Sequence, residues 1–234
     1  MALNTTDMGT VVSAPIRLVP QGRASIVTTN KSKLVATPVS LMRETFTSPS
    51  TIDDDGFVTA VAGANTTTAS LTLGGALCSG GVGTNAIPRA VTVTVTHGSS
   101  IVAQTFTVTG TDVYGRTIGP ETLTITATGT SKTATTLQAF KTVTAATQTA
   151  AGDASANTVK LGDSKVLGLA YKCDTIVPIG ELEDGVTPTA GVLVRASTTA
   201  NQDYRGTYTP NSTLNGSKTF IVSYISTDPT VVGP

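Results

Sequence analysis

Between Pro88 and Thr96 the chain alternates strictly, Val91, Val93 and Val95 taking one set of positions and Thr92, Thr94 and Thr96 the other. A period of two sends successive side chains to opposite faces of an extended strand. The valines therefore predict a buried face and the threonines a wet one. After a turn at His97-Gly98-Ser99-Ser100, Ile101 to Gly110 repeats the pattern, with Phe106 and Val108 set against Thr105, Thr107 and Thr109. The two runs are expected to form a β-hairpin.

The same pattern returns along the rest of the chain. A connection over Thr111–Arg116 leads to Glu121–Thr126, where Leu123 and Ile125 point inward, and this third strand ends at Gly129. Phe140, Val143 and the Thr-rich stretch to Thr149 predict a fourth, and after a loop over 150–157 comes Thr158–Gly162. Toward the C-terminus, Thr175–Ile179 runs into Glu181-Leu182, and a turn at Glu183-Asp184-Gly185 leads to Gly191–Val194. Asp-Gly between apolar runs signals a hairpin. Arg205–Thr209, a turn at Asn215-Gly216 and a closing strand over Thr219–Ile225 complete the set. Strands every ten to fifteen residues with no helical period predict an all-β fold, an antiparallel β-sandwich or jelly-roll-like barrel. One core over residues 51–234 is expected, with a subdivision near 163–173 as the alternative.

Composition fits that pattern. Threonine fills roughly a fifth of the 234 positions, whereas Asp, Glu, Lys and Arg together reach 13%, against a usual charged fraction of about a quarter. Threonine is β-branched and suits a pleated strand, and its hydroxyl faces water or an interface without carrying charge. Such a surface is wettable yet easily desolvated.

Residues 1–50 read differently. Pro15, Pro20, Pro38 and Pro49 interrupt short apolar pairs such as Val11-Val12 and Ile26-Val27. Proline lacks a backbone donor, so an extended N-terminal arm or an edge strand is expected here. This segment holds Arg17, Arg23, Lys31, Lys33 and Arg43 against only Asp7 and Glu44, and the five bases are the candidate protein-interface residues. The whole chain balances at fifteen basic and fifteen acidic residues. Without a global field, neither nucleic acid nor an anionic membrane is an expected partner.

The opening residues carry no basic or apolar signal segment, and no apolar run approaches the ~20 residues of a membrane span. Synthesis in a reducing cytoplasm is expected. Cys78 and Cys173 then read as buried small hydrophobes rather than a disulfide.

Catalytic equipment is sparse. His97, the single histidine, cannot build an imidazole metal cluster, and beside a Gly-Ser-Ser turn it reads as a turn residue. No nucleophile elbow, zinc-binding helix pair, P-loop or dinucleotide fingerprint is present. Asp112, Glu121, Glu181 and Glu183 remain as carboxylates for glycoside chemistry by elimination, without the tryptophans that sugar sites favour. Asp53-Asp54-Asp55-Gly56 invites calcium, but consecutive acids lack the stagger of a calcium loop and read as a solvated turn. Asn4-Thr5-Thr6 and Asn211-Ser212-Thr213 match the glycosylation sequon and read as turn chemistry. No cofactor is expected, and no enzymatic role.

Several phrases, taken in order, resemble structural proteins of tailed bacteriophages: Pro88–Thr94, Phe106–Asp112 with Gly115, Glu121–Leu123, Phe140–Thr144, Leu167–Tyr171, Arg205–Pro210 and Gly216–Lys218. The resemblance spans roughly residues 51–228 and is similar to head decoration or cement proteins, which bind the outer capsid where major capsid subunits meet. It implies a virion protein on the outer capsid surface, with the major capsid protein as partner and a homo-oligomer, preferably a trimer, as the working form. It carries over no catalytic residues. The alternatives are a tail or neck protein, or a receptor- or glycan-binding module.

Overall fold

The computed structural model describes residues 17–19, 23–30, 33–199 and 202–227, with side chains from Ser40 onward. Fifteen strands follow one another: β1 (Arg17–Val19), β2 (Arg23–Asn30), β3 (Lys33–Thr47), β4 (Val58–Ala62), β5 (Ala69–Ser70), β6 (Cys78–Ser79), β7 (Val82–Thr96), β8 (Gln104–Thr111), β9 (Thr117–Ile125), β10 (Ser131–Gln148), β11 (Thr158–Gly168), β12 (Gly180–Glu183), β13 (Val192–Arg195), β14 (Gly206–Thr209) and β15 (Thr219–Ser226). A 3-10 turn at Ala154–Ala156 is the one helical element among the described residues. The fold is all-β, two curled antiparallel sheets in a sandwich-like, half-barrel arrangement.

One sheet runs β1-β2-β3-β15-β12 and the other β13-β14-β11-β7-β10-β8-β9, with β4, β5 and β6 added at its margins. The Val/Thr alternation of β7 is realised as read: Val91, Val93 and Val95 are fully buried and Thr96 is exposed. Burying each such valine contributes about 1.5–3 kcal/mol. On the other face, threonine hydroxyls join neighbouring strands in the pairs Thr92–Thr135, Thr107–Thr147 and Thr111–Thr142, at 2.6–2.8 Å. Cross-strand pairs of this kind contribute roughly 0.2–1 kcal/mol each.

The expected hairpin between the first two alternating runs does not form. β10 lies between β7 and β8, pairing Ser131 with Thr96 on one side and Ala146 with Val108 on the other. The connection from His97 to Ala103 is too long for a tight hairpin, and its ends bond to the β9–β10 turn instead: His97 N–H donates to Thr130 and Ile101 N–H to Gly129. The tight hairpin is β8–β9, closed by Asp112, whose Oδ1 accepts the N–H groups of Tyr114 and Arg116. The Asp184-Gly185 turn also forms, both residues at positive φ and Glu183 bridged to Val186. It joins no hairpin, because β12 pairs with β15 in one sheet while β13 pairs with β14 in the other.

Buried apolar side chains form two clusters. The larger gathers Phe57, Val91, Val93, Val95, Phe106, Phe140 and Leu161 with their neighbours; the smaller gathers Phe46, Leu167, Leu193, Tyr208, Phe220, Val222 and Tyr224 between the two sheets. Phe46 and Tyr208 stack across the gap at 6.0 Å. β11 serves both, with Val159 and Leu161 in the first cluster and Leu167 in the second, and its register against β7 shifts between Asp163 and Leu167. The shift lies where the sequence suggested a subdivision.

The expected arm is strand-forming, and part of it belongs to the body. From Ser40 to Thr47 β3 pairs with β15, and Phe46 is core. Residues 33–39 pair with β2 alone, because the ladder to β15 ends at Ser40–Ser226. At Thr227 the backbone N–H turns instead to the Asp174 carboxylate, at 2.6 Å. Pro38 therefore sits where its strand has a single described neighbour, the place in a sheet where a missing donor costs least.

Candidate interaction surface

The inward side of the five-stranded sheet is fixed by Phe46, Phe220, Val222 and Tyr224, so alternate residues face out. That outer face carries Leu41 opposite Ile225, Arg43 opposite Ser223, and Thr45 opposite Ile221, which in turn faces Leu182 of β12. Arg43 is exposed and makes no ion pair among the described residues. A groove of about 540 Å³ runs beside it, walled by Ile179, Leu182, Thr187 and Ile221. A lone guanidinium set among half-buried aliphatics is the composition found at the centres of protein interfaces.

Exposed apolar side chains concentrate next to this face. Seven of the eleven large exposed hydrophobics fall between residues 171 and 194: Tyr171, Ile176, Val177, Ile179, Val186, Val192 and Val194, with Ile176 and Val186 each 70% exposed. They surround the two edge strands β12 and β13, which meet where Glu181 accepts from Gly191 N–H at 2.8 Å and from the Tyr208 hydroxyl. Burial and the Glu181 carboxylate both hold the Tyr208 phenol neutral, far above its ordinary pKa. Aliphatics crowded at open sheet edges leave backbone and side chains together unsatisfied.

A second groove of about 540 Å³ lies on the outer face of β11, β13 and β14, where Val166, Val194 and Leu137 meet threonines. Leu137, 57% exposed, is pushed out by a bulge in β10. Buried carboxylates hold that bulge. Glu121 accepts the N–H groups of Leu137 and Gln138 at 2.5 and 3.0 Å, and Asp203 accepts that of Ala139 at 2.9 Å. Burial pushes Glu121 up to about 7, against the lowering effect of those two N–H groups and with the help of the Asp203 charge. Asp203 too is raised by burial.

Of the five expected interface bases, Arg43 stands on the described surface. Arg17, Arg23 and Lys33 lie in β1, β2 and β3 with their side chains outside the described residues, as is the whole of Lys31. The remaining carboxylates are structurally engaged: Asp112 pairs with buried Arg205 at 2.8 Å, and Glu183 takes Lys218 at 2.5 Å and the Ser212 hydroxyl at 2.6 Å. His97 Nδ1 accepts the N–H groups of Ser99 and Ser100, so it is a turn residue as read. Cys78 and Cys173 are free thiols in separate clusters. The carboxylate oxygens of Asp53, Asp54 and Asp55 lie within 4.8 Å of one another, and Lys160 supplies a positive charge 3.3 Å from Asp54 and 3.7 Å from Asp55.

Alternation and turn motifs could not reveal Leu137 or the aliphatic run Ile176–Ile179 as surface. An apolar run reads as buried strand whichever side it faces, and only the sheet order shows that nothing covers it. No helix among the described residues is long and apolar enough to cross a membrane. Compared with known proteins, the chain matches no family model, no curated protein and no solved structure.

Proposed function

We propose that this protein is a structural subunit of a bacteriophage head, a decoration or cement protein that stabilises the capsid by bridging its major subunits and acts as a homo-oligomer without catalysing a reaction. The observation that carries the reading is the gathering of exposed aliphatics at residues 171–194 beside the Arg43 face. Monomeric proteins rarely expose apolar side chains in one contiguous region, and such a region rimmed by polar groups marks a protein contact. The phage assignment comes from the ordered β-turn phrases, and the trimer from the same resemblance.

The carboxylates that could have served glycosidic chemistry are held in ion pairs or backbone hydrogen bonds. Neither large groove is lined by an aromatic platform for a sugar ring. Many modest contacts repeated over a shell add up through avidity, so each interface needs no more than a standard area, on the order of 1,600 Å² in total. Particles assembled without this protein are expected to lose their genomes at lower temperature and under milder osmotic shock than complete particles. Equal resistance of the two overturns the reading.

A further inference from the structure

The two edges of the five-stranded sheet differ in charge and in how they end. On one side, residues 17–43 carry five bases and no acid, whereas residues 44–227 carry ten bases and thirteen acids. β1, β2 and the first half of β3 form a ribbon in which Arg17 pairs with Ser25 and Arg23 with Ser40. Because the β3–β15 ladder stops at Ser40–Ser226, the seven residues Lys33–Val39 carry this ribbon roughly 23 Å past the end of that ladder. An isolated two- or three-stranded ribbon is marginally stable in water and gains most from a further surface.

On the other side the edge is β12, with Glu181, Glu183 and Asp184 in and just after the strand and Ile176, Val177, Ile179 and Val186 exposed around it. The basic edge strand and the acidic edge strand thus terminate opposite sides of the same sheet. Three strands separate them, so they cannot meet within one chain.

We propose that the β1–β3 ribbon of one copy docks on the β12 edge of a second copy, extending the five-stranded sheet from chain to chain. The occupant is assigned by charge complementarity: a segment of net charge +5 meets a body of net charge −3, and the acids at the β12 edge sit among uncovered aliphatics. Strand addition supplies backbone hydrogen bonds, while the aliphatics and charges set register. A contact between two different surfaces is head-to-tail, so it closes into a ring, as the trimer of the proposed function requires, or else propagates. The inference rests on the homo-oligomeric part of that reading and not on the capsid itself.

The test uses the full chain in solution, free of capsid, with mass measured by light scattering on a sizing column at about 50 μM. A ribbon variant carries Arg17→Glu, Arg23→Glu and Lys33→Glu; an edge variant carries Ile176→Lys and Val186→Lys, both at exposed positions. The wild type is expected to run as a closed oligomer and each variant as a single chain with an unchanged melting temperature. Mixed one to one, the variants are expected to form a two-chain complex, since one retains the ribbon and the other the edge. A single-chain wild type, or variants that keep the wild-type mass, overturns the proposal, as does a mixture that stays monomeric. Particle stability, measured separately, decides the capsid reading: an oligomer that forms as described but leaves particle stability unaffected refutes the capsid role alone.

Discussion

Arg89 and Asp163 form a fully buried ion pair, Nη1 to Oδ2 at 2.5 Å, on neighbouring strands where β11 passes from one apolar cluster to the other. Both are satisfied further: Arg89 donates to the Ser50 carbonyl at 2.6 Å, and Asp163 accepts the Asp53 N–H at 2.7 Å. Burial still holds Asp163 above the ordinary carboxylate value, with the Asp53 N–H and Arg89 acting against it. The pair thereby ties the segment following β3 to the seam between the clusters.

Removing one partner leaves a buried charge unmatched, which costs about 3–5 kcal/mol. Arg89→Met is expected to lower unfolding stability by that amount in urea titrations. Arg89→Met combined with Asp163→Leu should recover part of the loss, since no charge then stays stranded. A single variant within 1 kcal/mol of wild type would show that the pair is not buried in solution.

Gly110 tests the packing of β8 on β10. A Cβ at this position would stand 1.9 Å from the Thr142 carbonyl oxygen and 2.9 Å from the Phe140 ring. Backbone must move to admit it, so Gly110→Ala is expected to destabilise by about 2 kcal/mol or more. Gly115→Ala is not an adequate control because Gly115 has positive φ; Gly98, with open space around it, is the suitable one. Equal melting temperatures for Gly110→Ala and Gly98→Ala would refute the close approach.

Stability should fall as pH rises from 5 to 8. Glu121 has its folded pKa raised to about 7, and burial also raises Glu44, Asp163 and Asp203. For a carboxylate with a raised folded value, the native state holds the proton more tightly than the unfolded chain. Its stabilisation is full below the unfolded pKa near 4.3 and is lost as pH passes through the folded value. Asp174 and Glu183 shift the opposite way and act below pH 5. Calorimetry should give a melting temperature lower at pH 8 than at pH 5, by on the order of 5 °C. Glu121→Gln should flatten that dependence; an unchanged slope assigns it elsewhere.

The alternating strands were legible because a one-residue slip would invert every side chain, so β7, β8 and β9 kept the faces their valines and threonines announce. Strand order was not. Local alternation says nothing about partners, and β10 inserted between β7 and β8 because its own first half, Ser131–Ala139, matched β7 in register. Arg89 reads as an ordinary polar residue after a proline; only its partner, 74 positions away, explains its burial. Of the surface, Arg43 was found through charge, whereas the aliphatics near β12 resemble core until the sheet edge is known.

Arg43→Glu and Leu41→Lys, both exposed on the outer sheet face, should leave the melting temperature within the ±0.5 kcal/mol range of ordinary surface changes. Each is expected to weaken binding to empty phage heads at least tenfold in a co-sedimentation assay. Undiminished binding would move the contact to another face.

The central claim is that this chain works as a packed part of the head, and an electron cryo-microscopy map of the particle tests it most directly. The account predicts density for the sandwich on the outer capsid surface, with the β3–β15–β12 face and residues 171–194 covered by neighbouring subunits. A particle whose head lacks this density, or one in which that face and those aliphatics stand open to solvent, would contradict it.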